Sequence, residues 1–279
     1  MASEAISEKI NALPPLREVI AQHKLRAEKS LGQNFLLDQN LTDKIVRQAS
    51  DLDGKTILEI GPGPGGLTRS LLRSGAKKVI AVEFDARAVD ALKSLERAAQ
   101  GRLQIVHSDA LEADLMQLCE GPRVIVANLP YNIATPLLTG WLEQIRSNAG
   151  AYDEMILMFQ KEVAERICAG PGSKAYGRLS VISQWLCMTK KVMDLPPSAF
   201  TPPPKVKSSV VRFVPKKLDK DAPDCASVEA VTAAAFGQRR KMIRSSLNVY
   251  ADAIAALELD PTARAEVLSV EDFIDLAKY

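Results

Sequence analysis

Five short runs dense in isoleucine, valine and leucine recur along the first 160 residues: TILEI at 56–60, KKVIAVEF at 77–84, RLQIVHSD at 102–109, RVIVAN at 123–128 and EMILMFQ at 154–160. Between them lie stretches with apolar residues at helical spacing, such as LTRSLLRSG after the first run and ARAVDALKSLERAA after the second. Strands that are apolar nearly throughout are buried on both faces, and strands alternating with helices join in parallel through right-handed crossovers. The chain is therefore α/β, with a doubly wound, Rossmann-like sheet. The punctuation agrees, with Asp85 at an N-cap position and Gly75 where a helix should close.

The second half is less regular. KEVAERICAG reads as a helix stopped by Gly170 and Pro171, whereas RLSVISQWLCM fits a helix or a strand. Five prolines fall between Leu195 and Lys205, so 196–204 is a loop or linker and not a central strand. Its flanks, KKVMDL and SSVVRFV, would pair as an antiparallel edge on the sheet. From about residue 217 the chain is alanine-rich and helix-prone. The expected organisation is an N-terminal extension at 1–15, without a motif and expected to be disordered, a main domain at 16–216 and a small all-helical domain at 217–279.

Composition narrows the function classes. Apolar residues make up 47% and charged residues 25% of the 279 residues, the balance of an ordinary soluble protein. No run approaches a membrane span, and the opening MASEAISEKINALPPL carries Glu4 and Glu8 with no apolar stretch, so a cytoplasmic location is expected. Cys119, Cys168, Cys187 and Cys225 are scattered, which predicts reduced thiols without a metal role. Only His23 and His107 are present and no G-x-S-x-G elbow accompanies them, so neither a histidine-rich metal site nor a hydrolase triad is supported. A net charge of +2 does not announce a nucleic-acid binder, but its distribution is uneven. Lys205, Lys207, Arg212, Lys216, Lys217 and Lys220 stand against the single acid Asp219, and Arg239, Arg240, Lys241 and Arg244 stand together without one. Such clusters either form a solvated face or track phosphates.

The stretch ILEIGPGPGGLT at 57–68 places Gly61, Gly63 and Gly66 at G-x-G-x-x-G spacing. That spacing reports a tight strand-to-helix turn and leaves the ligand open. Ligands of open α/β sheets lie beyond the carboxyl ends of the strands, where this chain has Glu59 and Gly61, Glu83, Asp109 and Asn128. Glu83, 22 residues after Gly61, is placed to accept hydrogen bonds from ribose hydroxyls, a position shared by nicotinamide and S-adenosylmethionine proteins. Glu59 separates the two. A carboxylate would repel a pyrophosphate but favours the ammonium and sulfonium of S-adenosylmethionine, and Pro62 and Pro64 remove two amides that a pyrophosphate would use.

NLPY, Asn128 to Tyr131, follows the fourth strand. An adenine amino group is a poor nucleophile because its lone pair is delocalised into the ring. The Asn128 side-chain oxygen and a backbone carbonyl of Leu129 or Pro130 could draw its N–H groups out of the ring plane, and Tyr131 offers a face for stacking. Methyl transfer would then be in-line attack accelerated by alignment.

With these motifs in order, the chain resembles the S-adenosylmethionine-dependent ribosomal RNA adenine dimethyltransferases, specifically those of the bacterial small subunit. SLGQNFLLDQNLTDKIV, ILEIGPGPGGLT, VEFD, SDAL, NLPYNIATPLL, PPSAFTPPPKVKSSVVRF and FGQRRKMIRSSL carry the resemblance from about Leu16 to about Phe273. It implies an S-adenosylmethionine methyltransferase sheet with cofactor contacts at Asn34, Leu36, Gly61, Glu83, Asp109 and Asn128, with Asp109 on the adenine amino group and Glu83 on the ribose. It further implies dimethylation of N6 on two adjacent adenosines near the 3′ end of 16S rRNA, by a monomer acting on the small subunit or its precursor, with a role in assembly. Lys205, Lys207, Arg239, Arg240, Lys241 and Arg244 are the expected RNA contacts. Without the resemblance, QNFL at 33–36 would read as an ordinary helix entry, and Phe84 departs from the aliphatic residue usual within VEFD. A 23S rRNA adenine methyltransferase and a non-catalytic RNA-binding assembly factor are the alternatives.

Overall fold

The computed structural model describes residues 2–25 and 33–279; Ser30, Leu31 and Gly32 of the first motif lie outside the described residues. Five adjacent parallel strands make up most of one sheet: β2 (Thr56–Ile60), β3 (Lys78–Glu83), β4 (Leu103–His107), β5 (Arg123–Asn128) and β6 (Glu154–Gln160). Two more, β7 (Cys187–Leu195) and β9 (Ser208–Pro215), complete the order β4-β3-β2-β5-β6-β9-β7. β9 is antiparallel to both its neighbours, so the expected antiparallel pair is present, with β9 inserted inside the sheet and β7 at the edge. Strand order reverses at β2, between β3 and β5, which opens the ligand crevice of doubly wound sheets.

The near-continuous apolar runs are explained by burial on both faces, since successive side chains point to opposite sides. Leu58, Ile60, Ile80, Val82, Ile125 and Leu157 belong to one core, and Ile57, Val79, Ala81, Val124, Val126 and Ile156 to the other. The second core is covered by α1 (Ala2–Asn11), α3 (Gln39–Val46), α4 (Gly66–Arg73) and α5 (Ala86–Ala98). The first is covered by α7 (Ala134–Ser147), α8 (Lys161–Cys168) and α9 (Arg178–Leu186), and it runs on without a break into the helices of the tail. Asp85 caps α5 by accepting from the Arg87 N–H, and Gly75 follows α4 with φ +87°, the left-handed residue that closes a helix. RLSVISQWLCM resolves as α9 leading directly into β7.

Within the N-terminal extension, residues 2–15 differ from the expectation of disorder. α1 packs on α4 and α5, with Ile6 and Ile10, one helical turn apart, buried in the second core, and Arg69 donates to the Pro14 carbonyl at 2.8 Å. α2 (Leu16–Gln22) follows. In the tail, α10 (Cys225–Gly237) and α13 (Val270–Leu276) pack on α9, with the short α11 (Ile243–Ser246) and α12 (Ala251–Ala256) between them in sequence. No helix among the described residues is long and apolar enough to cross a membrane.

Candidate active site

The carboxyl ends of β2, β3, β4 and β5 converge on one cavity, closed from above by the segment around Asn34. The glycine loop forms its floor. Gly61, Gly63 and Gly65 have φ of +67°, +54° and +91°, a region open to glycine at little cost. Gly66 is required for a different reason: a Cβ there would lie 2.3 Å from the Leu36 carbonyl oxygen. The third glycine of the motif therefore lets QNFL press onto the start of α4.

The loop amides are already committed. Gly61 N–H donates to Val82 O at 2.9 Å, Gly63 N–H to Glu83 Oε2 at 2.9 Å and Gly65 N–H to Pro62 O at 3.0 Å, while Pro62 and Pro64 have no N–H. From residue 61 to 65 no amide is left to cradle a phosphate, which leaves only the first amides of α4 for such a ligand.

Of the carboxylates that line the cavity, Glu59, Glu83 and Asp109 stand in different surroundings. Glu59 occupies a β2 position otherwise given to apolar side chains; it is 1% exposed, and neither of its oxygens nor the Thr68 hydroxyl reaches a hydrogen-bond partner among the described residues. Burial pushes its carboxyl up to about 8, and the nearby Glu83 charge adds to the shift. A buried, orphaned carboxylate in a ligand cavity is a ready partner for a cation. Glu83 is also pushed up by burial, against the backbone N–H groups of Asp85 and Gly63 that it accepts at 2.9 Å each. Each of its oxygens retains acceptor capacity for a diol. Asp109 accepts the Leu111 N–H at 2.9 Å, which fixes its carboxylate at the end of β4.

NLPY forms the opposite wall. Asn128 Nδ2 donates to the Asn34 backbone carbonyl at 2.9 Å, which turns Asn128 Oδ1 into the acceptor that remains. The Pro130 carbonyl accepts the Ile133 N–H at 3.2 Å. Tyr131, also on the cavity wall, has its hydroxyl 2.5 Å from Ser208 Oγ. The QNFL segment is not a plain helix entry: Phe35–Leu36 is a short strand, β1, paired antiparallel with β8 (Phe200–Thr201) of the proline-rich segment. Phe84 is 58% exposed and Leu111 51%, and both line the mouth.

The asparagine, strand-end and NLPY residues singled out in the sequence thus share one cavity. The basic residues do not. Lys205 and Lys207 are exposed in the loop that enters β9 beside Tyr131, and Arg240, Lys241 and Arg244 are exposed after α10. Arg239, also expected as an RNA contact, is held within the protein as well: its Nε donates to Glu266 at 2.9 Å and its Nη2 to the Ser173 carbonyl at 3.3 Å. Sequence reasoning missed Ser208, which reads as one more strand residue, and had no means of joining Asn34 to Asn128 across 94 residues.

The sequence profile described as Ribosomal RNA adenine dimethylase matches residues 24–279. The chain belongs to this family. It is 54% identical over 271 residues to Ribosomal RNA small subunit methyltransferase A of Rhodospirillum rubrum, covering 96% of this chain and 93% of that protein. It is 52% identical to the protein of that name from Ruegeria sp. strain TM1040, covering 96% and 97%. Among solved structures, a dimethyladenosine transferase from Plasmodium falciparum superposes with a TM-score of 0.74 at 27% identity, covering 86% and 94% of the two chains. The 23S rRNA methyltransferase ErmE superposes at 0.66 with 25% identity, covering 88% and 98%. Membership makes the chain an rRNA adenine methyltransferase and accounts for a sheet whose crevice is built around NLPY.

Proposed function

We propose that the chain dimethylates N6 of two adjacent adenosines near the 3′ end of 16S rRNA in the small ribosomal subunit, with S-adenosylmethionine as methyl donor and with a role in subunit assembly. The observation that carries this reading is the Asn128 amide anchored on the Asn34 carbonyl, which aims Asn128 Oδ1 into the cavity. The length and identity of the match to small-subunit enzymes favour that substrate over 23S rRNA.

The residues fit the donor. Glu59, without a hydrogen-bond partner among the described residues, would meet the ammonium, and the amides of residues 61–65 are bonded or absent and so not free for a phosphate. Glu83 would accept the ribose hydroxyls and Asp109 the adenine amino group, with Asn34, Leu36 and Gly61 in the surrounding wall of the cavity. S-adenosylmethionine supplies an electrophilic methyl on a sulfonium.

Asn128 Oδ1 and a backbone carbonyl accept the two N–H groups of the target adenine. The Pro130 carbonyl is already bonded to Ile133, which favours Leu129 as the second acceptor. Accepting both hydrogens in this way returns electron density to N6, and Tyr131 supplies a face against which the base lies. The amine would then attack the sulfonium methyl in line, forming the N6–CH3 bond as the S–CH3 bond breaks and S-adenosylhomocysteine leaves; the proton it sheds afterwards needs no strong base, so alignment supplies most of the acceleration. The base must be out of its stack to reach this wall. Lys205 and Lys207 beside Tyr131, and Arg240, Lys241 and Arg244 on the tail, supply the phosphate-facing charge.

The test mixes unmethylated small subunits, the protein and labelled S-adenosylmethionine, followed by mass spectrometry of the rRNA. Dimethyladenosine at two adjacent positions near the 3′ end of 16S rRNA is expected; label on 23S rRNA alone, or no label, overturns the reading.

A further inference from the structure

The reversed strand of the sheet has a chemical consequence. Every parallel strand brings its carboxyl end to the ligand edge, but β9 runs the other way and brings its first residue there. That residue is Ser208, fully buried, paired in register with Gln160 of β6 on one side and Leu195 of β7 on the other. The preceding residue is fixed as well, since the Lys207 carbonyl accepts the Lys161 N–H at 2.9 Å. Ser208 Oγ is thus held on a rigid strand end, 2.5 Å from the Tyr131 hydroxyl.

Tyr131 belongs to a loop and not to a strand; its ring is half-buried, and the partner of its hydroxyl lies on β9. A ring that stacks a base must be held at both ends, at Cα by the backbone and at the phenol by a partner. We propose that Ser208 is a positioning residue for the reaction, holding the Tyr131 ring through its phenol so that the target adenine meets Asn128 at the correct angle. The inference rests on the reading of Tyr131 as the base-facing residue. It also gives the proline-rich segment a role beyond carrying charge, since that segment leads directly into Ser208.

The experiment is a double-mutant cycle between Ser208→Ala and Tyr131→Phe, measured as kcat on unmethylated small subunits together with S-adenosylmethionine affinity and thermal melting. Each single change is expected to lower kcat about five- to tenfold, the effect of one buried hydrogen bond, with cofactor affinity unchanged. The double variant should fall no further than either single one. A merely structural serine would lower kcat by the same factor in the Tyr131→Phe background as in the parent, and that result, or an unchanged kcat for Ser208→Ala, overturns the proposal. If Ser208→Ala does not fold, Tyr131→Phe decides, because an unchanged kcat there removes the bond from the mechanism. Tyr131→Ala separates the two levels: an unchanged rate would refute the base-facing role itself, whereas a large loss alongside a silent Ser208→Ala refutes only the positioning role.

Discussion

Asn128 Nδ2 donates to the backbone carbonyl of Asn34 at 2.9 Å, joining residues 94 apart in the chain. The bond decides which end of the Asn128 amide faces the cavity. A carboxamide can present an oxygen on one side only if its nitrogen is occupied on the other. Asn128→Asp should therefore be as damaging as Asn128→Ala, although it keeps the oxygen, because a carboxylate facing the Asn34 carbonyl sets two acceptors against each other. Both variants are expected to lose more than about tenfold in kcat, with cofactor binding weakened but measurable by calorimetry. An Asn128→Asp variant with parental rate would remove the anchoring from the mechanism.

Glu59 makes ligand binding proton-linked. Burial pushes its carboxyl up to about 8 from the ordinary 4.5, because it disfavours the charged form. The folded state then binds more protons than the unfolded state between these values. Its contribution is fully present below pH 4.5, falls as pH rises, and by pH 8 amounts to a loss on the order of a few kcal/mol. Glu59→Gln should raise the melting temperature of the ligand-free protein at pH 8 and flatten its dependence on pH.

The same group predicts proton release. An ammonium placed against Glu59 ionises it, so binding of S-adenosylmethionine at pH 7 should expel a proton and the calorimetric enthalpy should vary with the ionisation enthalpy of the buffer. Glu59→Gln should weaken binding and reduce that variation. Equal enthalpies in all buffers for the parent protein would contradict the placement of the ammonium.

Gly66 and Gly140 should respond oppositely to alanine. A Cβ at Gly66 meets the Leu36 carbonyl oxygen at 2.3 Å, so Gly66→Ala must displace QNFL and is expected to cost about 1–3 kcal/mol and weaken cofactor binding. Gly140, inside α7, has nothing within 4 Å of an added Cβ, and Gly140→Ala should stabilise by up to about 1 kcal/mol. Denaturant melts compare the pair.

The proposed RNA contacts of the second basic cluster differ in their surroundings within the protein. Reversing Arg240 and Lys241 should weaken small-subunit binding and flatten its salt dependence, by roughly 0.7–0.9 in the log–log slope for each phosphate no longer neutralised, with melting unchanged. Arg239→Ala should instead lower the melting temperature by freeing Glu266 and the Ser173 carbonyl. Salt titrations of binding beside thermal melts separate the two.

The strands, the parallel core and the strand-end chemistry were legible in the sequence because they follow from local pattern. Two-faced apolar runs allow few arrangements, and Glu83, Asp109 and Asn128 fall at run ends wherever a parallel sheet is formed. Ile6 and Ile10 carried the same kind of helical signal, so the packed α1 could have been read from residues 1–15 as well. Long-range pairings were not legible. Asn34 meets Asn128, Leu36 meets Gly66, and Ser208 meets Tyr131 only after the sheet has assembled, and nothing in the neighbours of any of these residues encodes its partner. The sequence by itself determined the doubly wound sheet and which side chains stand at its strand ends, because residue chemistry and strand ends are local properties. Only the tertiary structure decided which amide faces are free and which loop amides are spent, and that one reversed strand delivers a serine to the edge, because those are properties of distance.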